Sequence, residues 1–256
     1  MTILIDNIAH IFLWFTHETF IVPFIILGYI WVDKNNFYHA TCLLLLSMLF
    51  NYALKITFAI PLNPALGKIG FAFPSGHMQQ AVIFFGWLAL NVGHKKIHGL
   101  TILLLLGIGL SLIHFGYHNY YDILGSIFFG LLSIMGYRFM VSHKTAYTPW
   151  VVILIGSIFL IYIYLSKAMT THLRMAFCTL CGFVTSFRIF DSLEKSNHTG
   201  VKLLKTILCG ITLILITLFF SLTGVKNLIP TNAQWFVLGF VIPYLNSVTL
   251  KFNKGR

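Results

Sequence analysis

The sequence predicts an all-α protein, a polytopic transmembrane helical bundle of about nine spans. Three observations carry that reading. The chain of 256 residues is 58% hydrophobic and only 9% charged, where a soluble domain carries about 25% charged residues. Its mean hydropathy is +0.87. Its apolar runs are continuous, whereas the strands of a membrane barrel alternate apolar and polar positions. A soluble globular enzyme, a disordered chain and a disulfide-stapled secreted module are excluded together.

A membrane helix needs roughly 20 mostly apolar residues. Residues 3–16 are aromatic-rich but short and are expected to form an interfacial helix. Spans are predicted at 18–33, 37–57, 76–93, 99–115, 119–141, 149–166, 173–190, 203–223 and 231–250. Pro149 and Pro230 stand just before the sixth and ninth of these, where a first helical turn tolerates proline. The span at 173–190 has the weakest signal, because Arg174 and Arg188 sit near its ends. The polar stretch Asp191–Lys205 reads as a connector between a first block and the trailing helices, and 58–75 as the other informative loop. The chain divides into residues 1–148, an N-terminal segment with the chemistry-bearing core, and 149–256, additional helices of unassigned role.

The formal net charge of +11 would indicate nucleic acid in a soluble protein. Here it sets topology. With the loop around His94-Lys95-Lys96 inside, twelve of the 17 Lys and Arg residues fall on the inner side, and the first 33 residues hold none. The N-terminus is thus expected outside and the C-terminus in the cytoplasm. No basic n-region opens the chain, so no cleaved signal peptide is expected. The expected setting is a bacterial inner membrane, with membrane lipids as partners and no nucleic acid. Cys42, Cys178, Cys181 and Cys209 all lie in apolar stretches and read as packing residues.

Three segments place ionisable residues at one membrane face under this topology, and such residues default to function. Lys55 closes the second span. Phe73-Pro74-Ser75-Gly76-His77 opens the third. His114, His118 and Asp122 lie between the fourth and fifth. Pro and Ser at a helix start are ordinary capping chemistry, yet the free N–H groups of Gly76 and His77, with the helix dipole behind them, also suit a phosphate. The i, i+4 spacing of His118 and Asp122 is expected to put both on one helical face. The carboxylate then accepts the Nδ1 hydrogen and leaves Nε2 as a nucleophile or base, or the pair merely staples the helix. In a continuous helix one metal ion cannot be held by both His114 and Asp122, since i and i+8 are about 12 Å apart; only a break at Gly116 would relax that. No metal and no cofactor are expected.

Pro-Ser-Gly-His followed about 40 residues later by His-x-x-x-Asp, each at a helix end, resembles the type 2 phosphatidic acid phosphatase superfamily, which also contains glucose-6-phosphatase and bacterial undecaprenyl-diphosphate phosphatases. The resemblance covers roughly residues 37–141. It implies a metal-independent phosphoric ester hydrolase with a phosphatidic-acid-phosphatase-type core. It assigns His118 as the nucleophile that becomes a phosphohistidine, Asp122 as its orienter and His77 as the general acid. Lys55, Ser75 and Gly76 would hold phosphate. The family's first pattern is Lys, six residues, Arg-Pro, and here Leu62-Asn63 stands in place of Arg-Pro. In its third pattern Leu112 stands where arginine follows Ser111. Lys68 and His114 are the candidate replacements for the two missing charges. The implied substrate is a phosphorylated lipid or a small-molecule phosphate. The alternative is a catalytically degenerate member acting as a binding or transport protein.

Overall fold

A computed structural model describes residues 2–67, 69–142, 147–190, 199–222 and 228–248. Its elements are α1 (Thr2–Trp14), α2 (Glu18–Leu27) running into a π turn (Gly28–Val32), α3 (Lys34–Phe58), a 3₁₀ turn (Pro64–Leu66), α4 (Gly76–Val92), α5 (Lys95–His114), α6 (Tyr120–Ser142), α7 (Thr148–Leu165), α8 (Thr171–Phe190), α9 (Thr199–Leu222) and α10 (Leu228–Ser247). A helix therefore stands at each predicted span, and α1 stands where the interfacial helix was expected. No strand forms among the described residues; Pro61 and Phe71 make an isolated bridge. Seven of the helices, α3 and α5 to α10, are long and apolar enough to cross a membrane. The pair α1 and α2 passes the same test only together, bent by 46°. At 17 residues α4 is the shortest of the remaining spans.

The helix ends follow from local chemistry. Asp33 caps α3 by accepting from the N–H groups of Asn35 (2.9 Å) and Asn36 (3.1 Å). Gly116, at φ +65°, closes α5 in a Schellman motif. Its N–H donates to the Ile113 carbonyl (2.9 Å), and the Tyr117 N–H donates to that of Leu112 (3.0 Å). This is the break that separates His114 from His118.

Apolar side chains sort by environment. Leu124, Phe128, Leu131, Met135 and Phe139 form one exposed stripe along α6 at helical spacing. In a membrane that stripe faces lipid. The inner faces merge into one core. Tyr29 of the π turn, Phe84 of α4, Phe183 of α8 and Val241 of α10 belong to the same cluster, so packing is continuous across the 148/149 boundary read in the sequence. Close approach decides two glycines. A Cβ on Gly182 of α8 would lie 2.0 Å from the Phe236 carbonyl oxygen, and one on Gly239 of α10 would lie 2.2 Å from that of Thr179. The two helices thus meet backbone to backbone, as small residues allow in membranes.

One expectation is corrected. Residues 199–205 belong to α9 rather than to a polar connector, and 191–198 lie outside the described residues. Lys205 is buried, with its ammonium donating to the Asn246 carbonyl near the end of α10. A helix C-terminus presents unpaired carbonyls and partial negative charge, which a lysine satisfies.

Candidate active site

The site is built at one end of the bundle, where α3 and α5 end and α4 and α6 begin. Ser75 stands at the N-cap of α4 in an extended conformation, but its side chain makes no capping bond. Its hydroxyl is buried without a hydrogen-bond partner. Buried polar groups are normally paired, and this hydroxyl is an exception at the start of α4. The N–H groups of Gly76 and His77 open the helix and have no acceptor in a preceding turn. Asn51 of α3 supports the turn from beneath. Its Nδ2 donates to the Pro74 carbonyl (3.2 Å) and to Gln79 Oε1 (2.8 Å). A Cβ on Gly76 would lie 3.3 Å from Asn51 Oδ1, so any larger residue presses on that support.

The second segment is tied to the first. The Ser75 N–H donates to the Asp122 carbonyl (3.3 Å). The Ser126 hydroxyl is within hydrogen-bond distance of the Ser75 carbonyl (2.9 Å) and of the Asp122 carbonyl (2.6 Å). The two motifs, about 40 residues apart in sequence, share these bonds between the starts of α4 and α6.

His118 and Asp122 do meet, though not as residues of one helix. His118 precedes α6, and Asn119 is the residue that caps it. The Asp122 N–H donates to Asn119 Oδ1 (2.9 Å), and the Asn119 N–H donates to Asp122 Oδ2 (3.0 Å). This reciprocal capping box fixes the carboxylate. The same Oδ2 lies 3.3 Å from His118 Nδ1. Asp122 is 3% exposed and His118 9%. With the Nδ1 hydrogen on Asp122, the Nε2 lone pair is left available. Burial, together with the nearby Lys55 charge, pushes the His118 imidazole below the ordinary histidine range, and Asp122 pulls in the opposite sense.

Lys55 lies in the last turn of α3 and donates to the Phe71 and Ala72 carbonyls. An ammonium has three N–H donors, so one remains. Lys55 lies within electrostatic reach of His77, His118 and Asp122, and His118 within reach of His77; His77 is exposed. Lys68 lies outside the described residues. His114 is placed elsewhere: its Nε2 is 2.7 Å from Asp6 Oδ1 of α1. Leu112 is buried, and its carbonyl receives the Tyr117 and His118 N–H groups. Leu62 pairs through its N–H with the Gly70 carbonyl (3.0 Å). The sequence reading did not find Asn51, Asn119 or Ser126 as supports, nor His17 within electrostatic reach of His77. Only Asn119 carried a signal, as an N-cap residue three positions before an acid.

Fold and site together define a phosphatase-like integral membrane protein. Residues 37–147 match the family model of the PAP2 superfamily, and this segment is a PAP2 superfamily domain. The matched residues contain Lys55, Ser75, Gly76, His77, His118 and Asp122. Comparison with curated proteins gave no match, and comparison with solved structures gave none.

Proposed function

We propose that this protein is a metal-independent membrane phosphatase that hydrolyses a lipid-linked phosphate monoester or diphosphate through a phosphohistidine. The observation that supports this reading best is the shared anchoring of the two motifs. The Asp122 carbonyl holds Ser75, and the Asp122 carboxylate holds His118.

His118 Nε2 attacks phosphorus as the bond to the leaving oxygen breaks. His77 donates a proton to that oxygen. His77 then accepts a proton from water, whose oxygen attacks phosphorus and breaks the P–N bond, which releases phosphate and restores both imidazoles. Lys55, the Ser75 hydroxyl and the Gly76 N–H stabilise the equatorial oxygens. His114 is left out of this set because Asp6 engages it. In this reading the site faces the non-cytoplasmic side of a bacterial inner membrane with the N-terminus outside, which the inward bias of the basic residues supports.

The purified protein is expected to release phosphate from lipid monophosphates or prenyl diphosphates faster than from soluble sugar phosphates. His118→Ala is expected to abolish this. Unchanged release by His118→Ala would refute the mechanism, and a preference for sugar phosphates would refute the substrate class.

A second reading, a degenerate member that binds or transports its ligand, is favoured by Leu112, an apolar side chain buried where the family pattern has arginine. Leu62→Arg with Leu112→Arg separates the two. A large gain in hydrolysis marks a decayed site, and a loss marks a site adapted to neutral donors.

A further inference from the structure

The corner between α1 and α2 lies outside the family match. We propose that it completes the site, and that His17 binds the substrate phosphate beside His77, supplying a hydrogen-bond donor that Leu62 and Leu112 do not. The proposal rests on the phosphatase reading and adds a residue to it.

Packing fixes the corner. Three contacts hold α1 along the end of α5. Phe12 lies over Gly107, where a Cβ would come within 2.2 Å of its ring. His10 and Phe115 have ring centroids 4.6 Å apart. Asp6 meets His114 at 2.7 Å. Beyond His114 the α5 segment turns directly into His118. On the other side, α2 packs toward α4 through Phe24, whose ring lies 6.1 Å from that of Phe84 and 6.4 Å from that of Phe85. The corner therefore spans from the end of α5, which leads through Gly116 to His118, to α4, which carries His77. Edge contacts among Trp14, Phe15 and Phe20, with centroids 4.8–5.8 Å apart, stiffen it.

His17 sits at the apex. Its backbone is extended (φ −83°, ψ 145°) and precedes α2 at the N-cap, but its side chain makes no capping bond. The Phe20 and Ile21 N–H groups donate to the His17 carbonyl (3.0 Å each). The imidazole is exposed, lies 3.5 Å from the Thr19 hydroxyl and is within electrostatic reach of His77. It thus has no capping duty, and it precedes Phe24 on α2 by as many residues as His77 precedes Phe84 on α4, the ring that Phe24 meets. A phosphate between two imidazoles receives hydrogen bonds assisted by charge, the stronger class of such bonds.

The test uses the full-length protein in detergent with a lipid monophosphate, and separately with orthovanadate as a phosphate probe. His17→Asn keeps the best class of N-cap residue and removes the imidazole. It is expected to raise KM about 10-fold with kcat changed far less, and to weaken vanadate-induced thermal stabilisation by a similar factor in apparent Kd. His17→Arg is expected to restore both. If His17→Asn matches wild type in KM and vanadate affinity, the proposal is wrong while the phosphatase reading stands. If wild type neither turns over nor binds vanadate, the phosphatase reading fails and the proposal falls with it. Loss of kcat alone, not rescued by His17→Arg, would show a structural role and also overturn it.

Discussion

The two most closely joined parts of the molecule are joined by opposite means. Where α3, α4 and α6 meet, polar groups cross between helices: Asn51 to Pro74 and Gln79, Ser75 to Asp122, Ser126 to Ser75. Where α8 meets α10, apposed glycines bring backbones together, Gly182 against Phe236 and Gly239 against Thr179. Close packing of small residues is sufficient to join helices in lipid. Polar crossings are therefore not needed for assembly, and the several that converge on the PAP2 motifs are what the proposed chemistry there would use. Even the buried Lys205 fits this contrast, since it serves a helix terminus and not a cluster of titratable groups.

Substitutions at the two junctions should separate activity from stability. The largest effect is expected from His118→Ala, a loss of hydrolysis on the order of 10³-fold or more with unchanged thermal stability; parallel activity assays and melting curves check this. Asp122→Asn is next. It keeps the shape but weakens the acceptor for both His118 and the Asn119 N–H, with an expected fall in kcat of roughly 10²- to 10⁴-fold. At the other junction the pattern inverts. Gly239→Val forces a side chain onto the Thr179 carbonyl and should cost about 1–3 kcal/mol or more, seen as a lower Tm with activity per folded molecule retained. Ser126→Ala loses a crossing worth about 1 kcal/mol and should lower both quantities slightly. The smallest effect belongs to Gly136→Ala on α6. A Cβ there meets nothing within 4 Å, and helix propensity favours alanine by about 0.5–1 kcal/mol.

The pH profile tests the same site without a substitution. His118 must be neutral to attack. Because burial and Lys55 lower its affinity for a proton, the neutral form persists to lower pH than for an ordinary histidine, near 6.5. The acidic limb of kcat/KM should therefore fall below that value. The same shift links to stability: proton uptake by His118 on acidification favours the unfolded chain, so its contribution is lost as pH falls through the folded-state value.

Much of this was legible in the sequence. Continuous apolar runs located a helix at every predicted span, because a span's hydropathy depends on its own residues. The Pro-Ser-Gly-His and His-x-x-x-Asp motifs named the central residues, because each is local. Gly116 announced its break for the same reason. What the sequence could not show were partners set by tertiary packing. Nothing in the spacing pairs His114 with Asp6, more than 100 residues away, or brings His17 toward His77. Lys205 read as part of a polar connector because a charge usually ends a span, and only the neighbouring end of α10 accounts for its burial. The His118–Asp122 contact was expected from helical spacing, but it arises from a capping box with His118 outside the helix.

The most direct measurement of the central claim is a rapid quench of purified protein with ³²P-labelled lipid phosphate, followed by peptide mapping. Wild type is expected to carry an acid-labile, alkali-stable phosphate on the peptide containing His118, and His118→Ala is expected to carry none. Hydrolysis that proceeds without a label on that peptide, or a label that persists in His118→Ala, would contradict the phosphohistidine mechanism.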